Sequence, residues 1–287
     1  MDDLCLSYVK GIDFIMANIF IIDVAKCNGC YSCQMSCKDE HVGNDWAPYA
    51  CSQPDTGQFW IKVNEKTCGT VPKVRVNYTP MLCGHCKNAA CLKACSHEAI
   101  CRRDDGLILI DPAKCKGCKQ CIKACPYESI YFNDESKVSQ KCTGCAHLLD
   151  NGYKQPRCVE SCPTEAIRFG DEHELAAEIP GSVVLLPEEG LKPRVRYRNI
   201  PGQFIAGTVY DPDEEEVLIG ARCRAVSGGK HIETFTDVYG DFWFSDIAVG
   251  TWEVFVEAKG YTLKALGAIR TDESVNLGNI PMSKNEV

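Results

Sequence analysis

Apolar positions along the chain come in two patterns. The first part carries short unbroken runs, Ile19–Ile22 and Leu107–Ile110, which predict strands, and Phe59–Val63 and Val74–Tyr78, which predict two more. Asp171–Ile179 reads as a short acidic helix. Pro180 to Pro201, punctuated by proline and glycine, reads as a connection. Beyond it the pattern changes to alternating runs at Phe204–Tyr210, Gly220–Val226, Ile232–Thr236, Phe242–Phe244, Trp252–Ala258 and Ser274–Leu277. Turn signals separate them: Ser227-Gly228-Gly229, Tyr239-Gly240, Val249-Gly250 and Lys259-Gly260. Strands at that spacing, without helical periodicity, predict an all-β sandwich.

A repeat lies in the first part. Ile22-Asp23-Val24-Ala25-Lys26-Cys27-Asn28-Gly29-Cys30 returns as Ile110-Asp111-Pro112-Ala113-Lys114-Cys115-Lys116-Gly117-Cys118, and Lys141-Cys142-Thr143-Gly144-Cys145 echoes its end. Each long copy follows an apolar run, so the unit is strand, cysteine loop, short helix, strand. Glycine before the second cysteine permits a tight turn that aims sulfurs and amides at one point. Duplication of a small metal-binding unit accounts for the repeat.

Composition sharpens this. The chain has 287 residues, 45% hydrophobic and 24% charged, which fits a folded protein of one large or two ordinary domains. Its 21 cysteines are crowded: 19 lie from Cys27 to Cys162. A disulfide scaffold would be short and would spread its cysteines evenly. Residues 1–170 carry 20 Lys and Arg against 19 Asp and Glu, and residues 171–287 carry 11 against 20, which gives the −8 of the whole chain. No basic block suited to nucleic acid occurs. The start is acidic, Met1-Asp2-Asp3-Leu4-Cys5, without a signal peptide. The apolar stretch Ile12–Ile22 is broken by Asp13 and Asn18 and falls short of the ~20 residues of a membrane span. A cytoplasmic location is expected, with export alongside a partner left open.

Sixteen cysteines form four groups: Cys27, Cys30, Cys33, Cys37; Cys83, Cys86, Cys91, Cys95; Cys115, Cys118, Cys121, Cys125; and Cys142, Cys145, Cys158, Cys162. The third, closed by Pro126, is the bacterial ferredoxin run, whose fourth cysteine serves the other cluster of a pair. Three sulfurs on one loop converge on one cluster, while a step of about one helical turn carries the fourth away. Four such groups provide ligands for four [4Fe–4S] clusters, whose charge of about −2 each the lysines of this part help to offset. Paired Cys-x2-Cys knuckles can also bind zinc, but zinc ribbons lack the x2-x2-x3-Pro pattern. Pro is absent after Cys37 and Cys95, where Lys38 and Ser96 stand, which should alter a turn and leave ligation intact. Cys51, Cys68 and Cys101 fall outside the groups and are expected to be buried free thiols; with Cys5 and Cys223 they complete the total, and no disulfide is required.

The series resembles the iron–sulfur (beta) subunits of molybdenum oxidoreductases of the dimethyl sulfoxide reductase family, and among them the transhydroxylase small subunits. The resemblance rests on Ile22–Cys27, Gln140–Asp150, Pro156-Arg157-Cys158, and Lys192-Pro193-Arg194-Val195 with Tyr197 and Asn199, and it covers about residues 17–285. It implies that the first group pairs with the fourth and the second with the third. One cluster would take Cys27, Cys30, Cys33 and Cys162, its neighbour Cys142, Cys145, Cys158 and Cys37. Another would take Cys83, Cys86, Cys91 and Cys125, and the last Cys115, Cys118, Cys121 and Cys95. It also implies a large partner subunit holding molybdenum or tungsten with a bis-pterin guanine dinucleotide, an external electron donor or acceptor, and a holoenzyme acting on polyhydroxylated aromatics by transhydroxylation, hydroxylation or reductive dehydroxylation. The tail resembles carboxypeptidase-regulatory or prealbumin-like modules.

The expected fold is α+β: a duplicated ferredoxin-like module for four [4Fe–4S] clusters over residues 17–180, with an insertion at 38–82, a linker at 181–202 and a prealbumin/Ig-like sandwich at 203–287. Residues 1–16 read as a leader or extension, with Met16 an alternative start. The chain carries no substrate-activating set, so it reads as an electron-transfer subunit and not a catalyst; a respiratory reductase subunit (arsenate, polysulfide or sulfoxide) and a free polyferredoxin are the alternatives. His85 is a candidate neighbour of iron. Lys26, Lys114 and Lys141, each before a first cysteine, either tune cluster potential or balance charge. Trp46 and Trp60 either face a partner or fill the core. Asp211–Glu216 reads as a solvated hairpin loop, with calcium binding as the weaker alternative.

Overall fold

The computed structural model describes residues 17–285. The proposed leader at 1–16 and Cys5 lie outside them. The described chain divides into two compact units, residues 17–64 with 78–200, and residues 65–77 with 201–285. No helix among the described residues is long and apolar enough to cross a membrane.

The first unit is assembled from small pieces. Its centre is the strand Asn18–Asp23, antiparallel to Ile167–Asp171 on one side and parallel to Val195–Arg198 on the other. Its four apolar residues are all buried because both faces are covered: Phe20 and Ile22 enter the main core with Leu107, Leu109 and Phe169, while Ile19 and Ile21 pack with Leu175. Two ribbons, Ile100–Arg102 with Ile108–Ile110 and Tyr131–Asn133 with Val138–Gln140, carry the repeated cysteine loops. The helices are short: Ala90–Lys93, Gln120–Lys123 and Arg157–Glu160 are one turn each, and among the described residues only Ser32–His41 reaches ten.

Three expectations change here. The stretch read as a connection contains the strand Val195–Arg198, whose Val195 and Tyr197 are buried. The acidic helix expected at Asp171–Ile179 is a set of turns ending in the single 3-10 turn Ala176–Glu178. Its carboxylates are drawn to separate cations, Glu172 to Lys87 and Glu178 to Arg168, and although Asp171 accepts the His173 N–H on its side chain at 2.7 Å and the Leu175 N–H on its carbonyl at 3.1 Å, as a helix start would, the chain does not continue as a helix. The two strands expected in the insertion are one longer hairpin, Ile61–Thr70 with Lys73–Leu82.

In the second unit two four-stranded sheets enclose an apolar core. One contains Gln203–Asp211, Glu216–Val217, Asp241–Ile247 and Val275–Pro281; the other runs Lys230–Phe235, Arg222–Ser227, Thr251–Glu257, Lys264–Arg270. Trp252, Val254 and Val256 alternate inward to meet Ile205, Phe242, Phe244 and Ile280. The link Gly228-Gly229 is a two-residue hairpin turn with both φ values positive (52° and 80°), as the strand twist demands. The strand Lys264–Arg270 was not anticipated, because its Gly267 and exposed alternate positions blur the period. Residues 65–77, the hairpin tip, are held within this unit: Asn276 donates to the Thr70 carbonyl at 3.1 Å and Lys73 pairs with Asp241.

Candidate metal centres

The loop glycines are dictated by both conformation and space. Gly29, Gly117 and Gly144 have φ of 71°, 65° and 64°. A Cβ on Gly117 would come within 2.6 Å of the Lys137 carbonyl oxygen, and one on Gly144 within 2.8 Å of Leu107. The turns bring amides onto sulfur: Gly144 N–H reaches Cys142 Sγ at 3.3 Å. Ser139 N–H reaches Cys115 Sγ at 3.5 Å, and Ala166 N–H reaches Cys162 Sγ at 3.3 Å.

The sulfurs assemble in sets that mix the groups. Cys83, Cys86 and Cys91 line a cavity together with Cys125 of the third group. Cys115, Cys118 and Cys121 line another with Cys95 of the second. Burial pushes the Cys33 thiol up to about 12, reinforced by Cys162, Cys27 and Cys30. Cys158 is raised by burial and then by Cys145, Cys37 and Cys142. Each fourth cysteine therefore leaves its own run. The sets also adjoin in order: Cys33 acts on Cys37, Cys83 on Cys142, and Cys121 on Cys91. The two exposed sulfurs, Cys30 and Cys118, belong to the two end sets, which also contain the buried Cys33 and Cys121; of the inner sets, Cys37, Cys142, Cys145, Cys158, Cys83 and Cys86 are buried and Cys91 and Cys125 half-buried.

Without metal these sulfurs would stay protonated: burial first, and then neighbouring sulfurs, lift Cys86 and Cys145 to about 12 and Cys91 and Cys142 to about 11. At Cys162 burial is outweighed by backbone N–H groups of Ile167, Thr164 and Ala166 and by the Thr164 hydroxyl, which hold its thiol below the ordinary value. Four sulfurs from two stretches of chain, all buried in the set of Cys37, Cys142, Cys145 and Cys158, with amides donating to several of them, match the donor set of an iron–sulfur cluster, which would replace the thiol protons and whose potential such hydrogen bonds tune.

Lys38 and Ser96 behave differently. Lys38 lies inside the helix Ser32–His41, so the missing proline lets that helix run one turn past Cys37, whereas Ser96 keeps a turn after Cys95. Lys38 is buried and donates to the Pro54 and Gly57 carbonyls. Cys51 and Cys68 are free; Cys68 packs with Phe204 and Cys223 lies in the sandwich core. The expectation for Cys101 fails: on the strand Ile100–Arg102, outside every loop that gathers sulfur, it is disulfide-bonded.

His85 is neutral, chiefly through burial, and its Nδ1 accepts the Ile108 N–H at 2.9 Å, which turns that nitrogen away from ligation. Trp60 belongs to the core, and Trp46 stacks on His147 at 4.4 Å between ring centroids. The Asp211–Glu216 hairpin takes its cation from the C-terminal segment: Lys284 pairs with Asp211 and Glu214.

The sequence reading passed over a polar cluster beside Cys145. Glu40 pairs with Arg157 at 2.8 Å and with His147 at 3.1 Å, and the Arg157 backbone N–H donates to the Cys145 sulfur. His41, pushed down to about 3 by burial and by His147, packs on Trp60 at 4.5 Å. The spacing held a clue: Cys33, Cys37 and His41 are four apart and share the buried face of one helix.

A ferredoxin-like unit that gathers sixteen cysteines into four sets, followed by a β-sandwich, defines an iron–sulfur electron-transfer protein. Two family descriptions match: "4Fe-4S dicluster domain" over residues 74–172 and "Carboxypeptidase regulatory-like domain" over residues 205–283. The pyrogallol hydroxytransferase small subunit of Pelobacter acidigallici is 38% identical over 274 residues, 91% of this chain and 98% of that protein. A tetrathionate reductase subunit of Salmonella typhimurium is 33% identical over 46% of this chain and 49% of its own length. A chain of the anaerobic dimethyl sulfoxide reductase of Escherichia coli is 32% identical over 47% and 64%. Among solved structures, BcpA, the major pilin of Bacillus cereus, covers 32% of each chain at 19% identity with a TM-score of 0.24, too slight a likeness to define the fold. This chain is a member of the family of iron–sulfur small subunits represented by that of pyrogallol hydroxytransferase.

Proposed function

We propose that each set holds one [4Fe–4S] cluster, the first on Cys27, Cys30, Cys33 and Cys162, the second on Cys37, Cys142, Cys145 and Cys158, the third on Cys83, Cys86, Cys91 and Cys125, and the fourth on Cys95, Cys115, Cys118 and Cys121. Bound there, the clusters supply reversible one-electron chemistry. The observation that carries this reading is the exchange of fourth cysteines, which ties neighbouring sites into one row. The row has one exposed sulfur at each end, Cys30 and Cys118, and none exposed in the two inner sets, as a path with an entrance and an exit requires.

In this reading the path serves a large catalytic subunit that holds molybdenum or tungsten on a bis-pterin guanine dinucleotide, with an external protein as electron donor or acceptor. The holoenzyme acts on a polyhydroxylated aromatic, transferring, inserting or removing a hydroxyl group. Support for that substrate class over sulfur oxides comes from coverage: the hydroxytransferase relative aligns over 91% of the chain, the tetrathionate and dimethyl sulfoxide reductase subunits over under half. In this reading the location is cytoplasmic, where the sixteen ligand thiols would stay reduced until loaded, the disulfide at Cys101 notwithstanding.

The test is anaerobic purification with the large subunit, followed by iron and sulfide analysis and EPR. About 16 iron atoms per chain are expected. Cys91→Ser and Cys125→Ser should alter the same EPR signal although they belong to different groups. Zinc in place of iron, about 8 iron atoms, or different signals affected by the two variants would each overturn the assignment.

A further inference from the structure

Three lysines hold equivalent places before a first cysteine, yet their surroundings differ. Lys26 is exposed, and Lys114 is half exposed with its ammonium 3.7 Å from Asp111. Lys141 is 2% exposed. Its Nζ donates to the Ile108 carbonyl and, at 3.0 Å, to the Cys142 carbonyl. Among the described residues no carboxylate lies within ion-pair distance of it. Ile108 is therefore held from both sides, its carbonyl by Lys141 and its N–H by His85. The position is the joint between the two inner sets, where Cys83 and Cys142 belong to one buried cluster. Ile108, whose carbonyl takes the Lys141 ammonium, lines the cavity of Cys83, Cys86, Cys91 and Cys125, and Lys141 also holds the carbonyl of its chain neighbour Cys142.

A buried ammonium without a carboxylate is costly unless other negative charge compensates it. Thiolate-bound clusters supply such charge, and each added electron increases it, so a fixed cation beside them favours the reduced form. We infer that Lys141 is a positioning residue for electron transfer, whose buried ammonium at the central joint raises the reduction potential of the cluster on Cys83, Cys86, Cys91 and Cys125. This rests on the four-cluster reading. Each transfer across the joint moves one electron between the Cys142 set and the Cys83 set, one oxidised as the other is reduced.

The experiment is an EPR-monitored redox titration of the whole complex, anaerobically prepared, with Lys141→Gln, Lys141→Arg, Lys26→Gln and Lys114→Gln. Glutamine keeps an amide donor for the Ile108 carbonyl while removing the charge, and arginine keeps the charge. At unchanged iron content, Lys141→Gln should move one wave to lower potential, Lys141→Arg should restore it, and Lys26→Gln and Lys114→Gln should move it far less. Unshifted waves in Lys141→Gln, or equal shifts at all three lysines, would overturn the inference. Wild-type protein with fewer than four clusters would instead refute the four-cluster reading itself.

Discussion

In the sandwich unit Phe242, Phe244, Val254 and Val256 are each 1% exposed or less and meet between two four-stranded sheets, whereas the cysteine unit relies on three-residue ribbons and one-turn helices around its sulfurs. Ribbons and helices that short are marginal by themselves. The sandwich is stabilised by apolar burial, as an ordinary domain is. The cysteine unit buries many thiols that burial alone disfavours as thiolates, so much of its order must come with the metal. One chain thus uses two sources of stability, and the two should respond to different perturbations.

Removing iron should give the largest contrast. After anaerobic chelation, residues 17–64 and 78–200 should lose protease resistance while the sandwich keeps it, as read by limited proteolysis and mass spectrometry. Equal resistance in both units would erase the distinction. Phe244→Ala should act in the opposite sense, lowering sandwich stability by about 3–5 kcal/mol, seen by hydrogen exchange on sandwich peptides, with iron content unchanged. Loss of iron in that variant would show that the units are not independent.

The smallest effect concerns acid. The Tyr261 hydroxyl, with the Asp213 and Glu214 amides and Lys284, holds Asp211 at about 2. A carboxylate lowered in the folded state contributes stability above its unfolded value of about 3.9, and that contribution is lost as pH falls toward about 2. Protection of the sandwich peptides should therefore decline over that window, and Asp211→Asn should flatten the decline. Hydrogen exchange separates this effect from acid loss of iron. An unchanged slope in Asp211→Asn would remove Asp211 as its source.

Legibility in the sequence followed distance along the chain. The cysteine groups, their loop glycines and the sandwich strands other than Lys264–Arg270 were readable because each depends on neighbours a few residues away. The turns at 171–179 and the strand Val195–Arg198 were misread because remote partners decide them: Lys87 and Arg168 draw the carboxylates apart, and Asn18–Asp23 supplies the edge on which Val195–Arg198 pairs. The Glu40, His147 and Arg157 cluster was hidden for the same reason, its members lying 107 and 10 residues apart along the chain. Cys101 shows the limit from the other side, since spacing marks a cysteine as outside a loop without saying what it meets.

By itself, the sequence determined that sulfur would gather in loops built by glycine turns and that an alternating β-domain would follow, because local spacing and backbone freedom suffice for both. Tertiary structure decided which sulfurs face one another and which of three equivalent lysines is buried. Those outcomes depend on how separate ribbons pack: Lys141 lies beneath the Ile108 carbonyl, while Lys26 and Lys114, in the same local setting, remain at the surface.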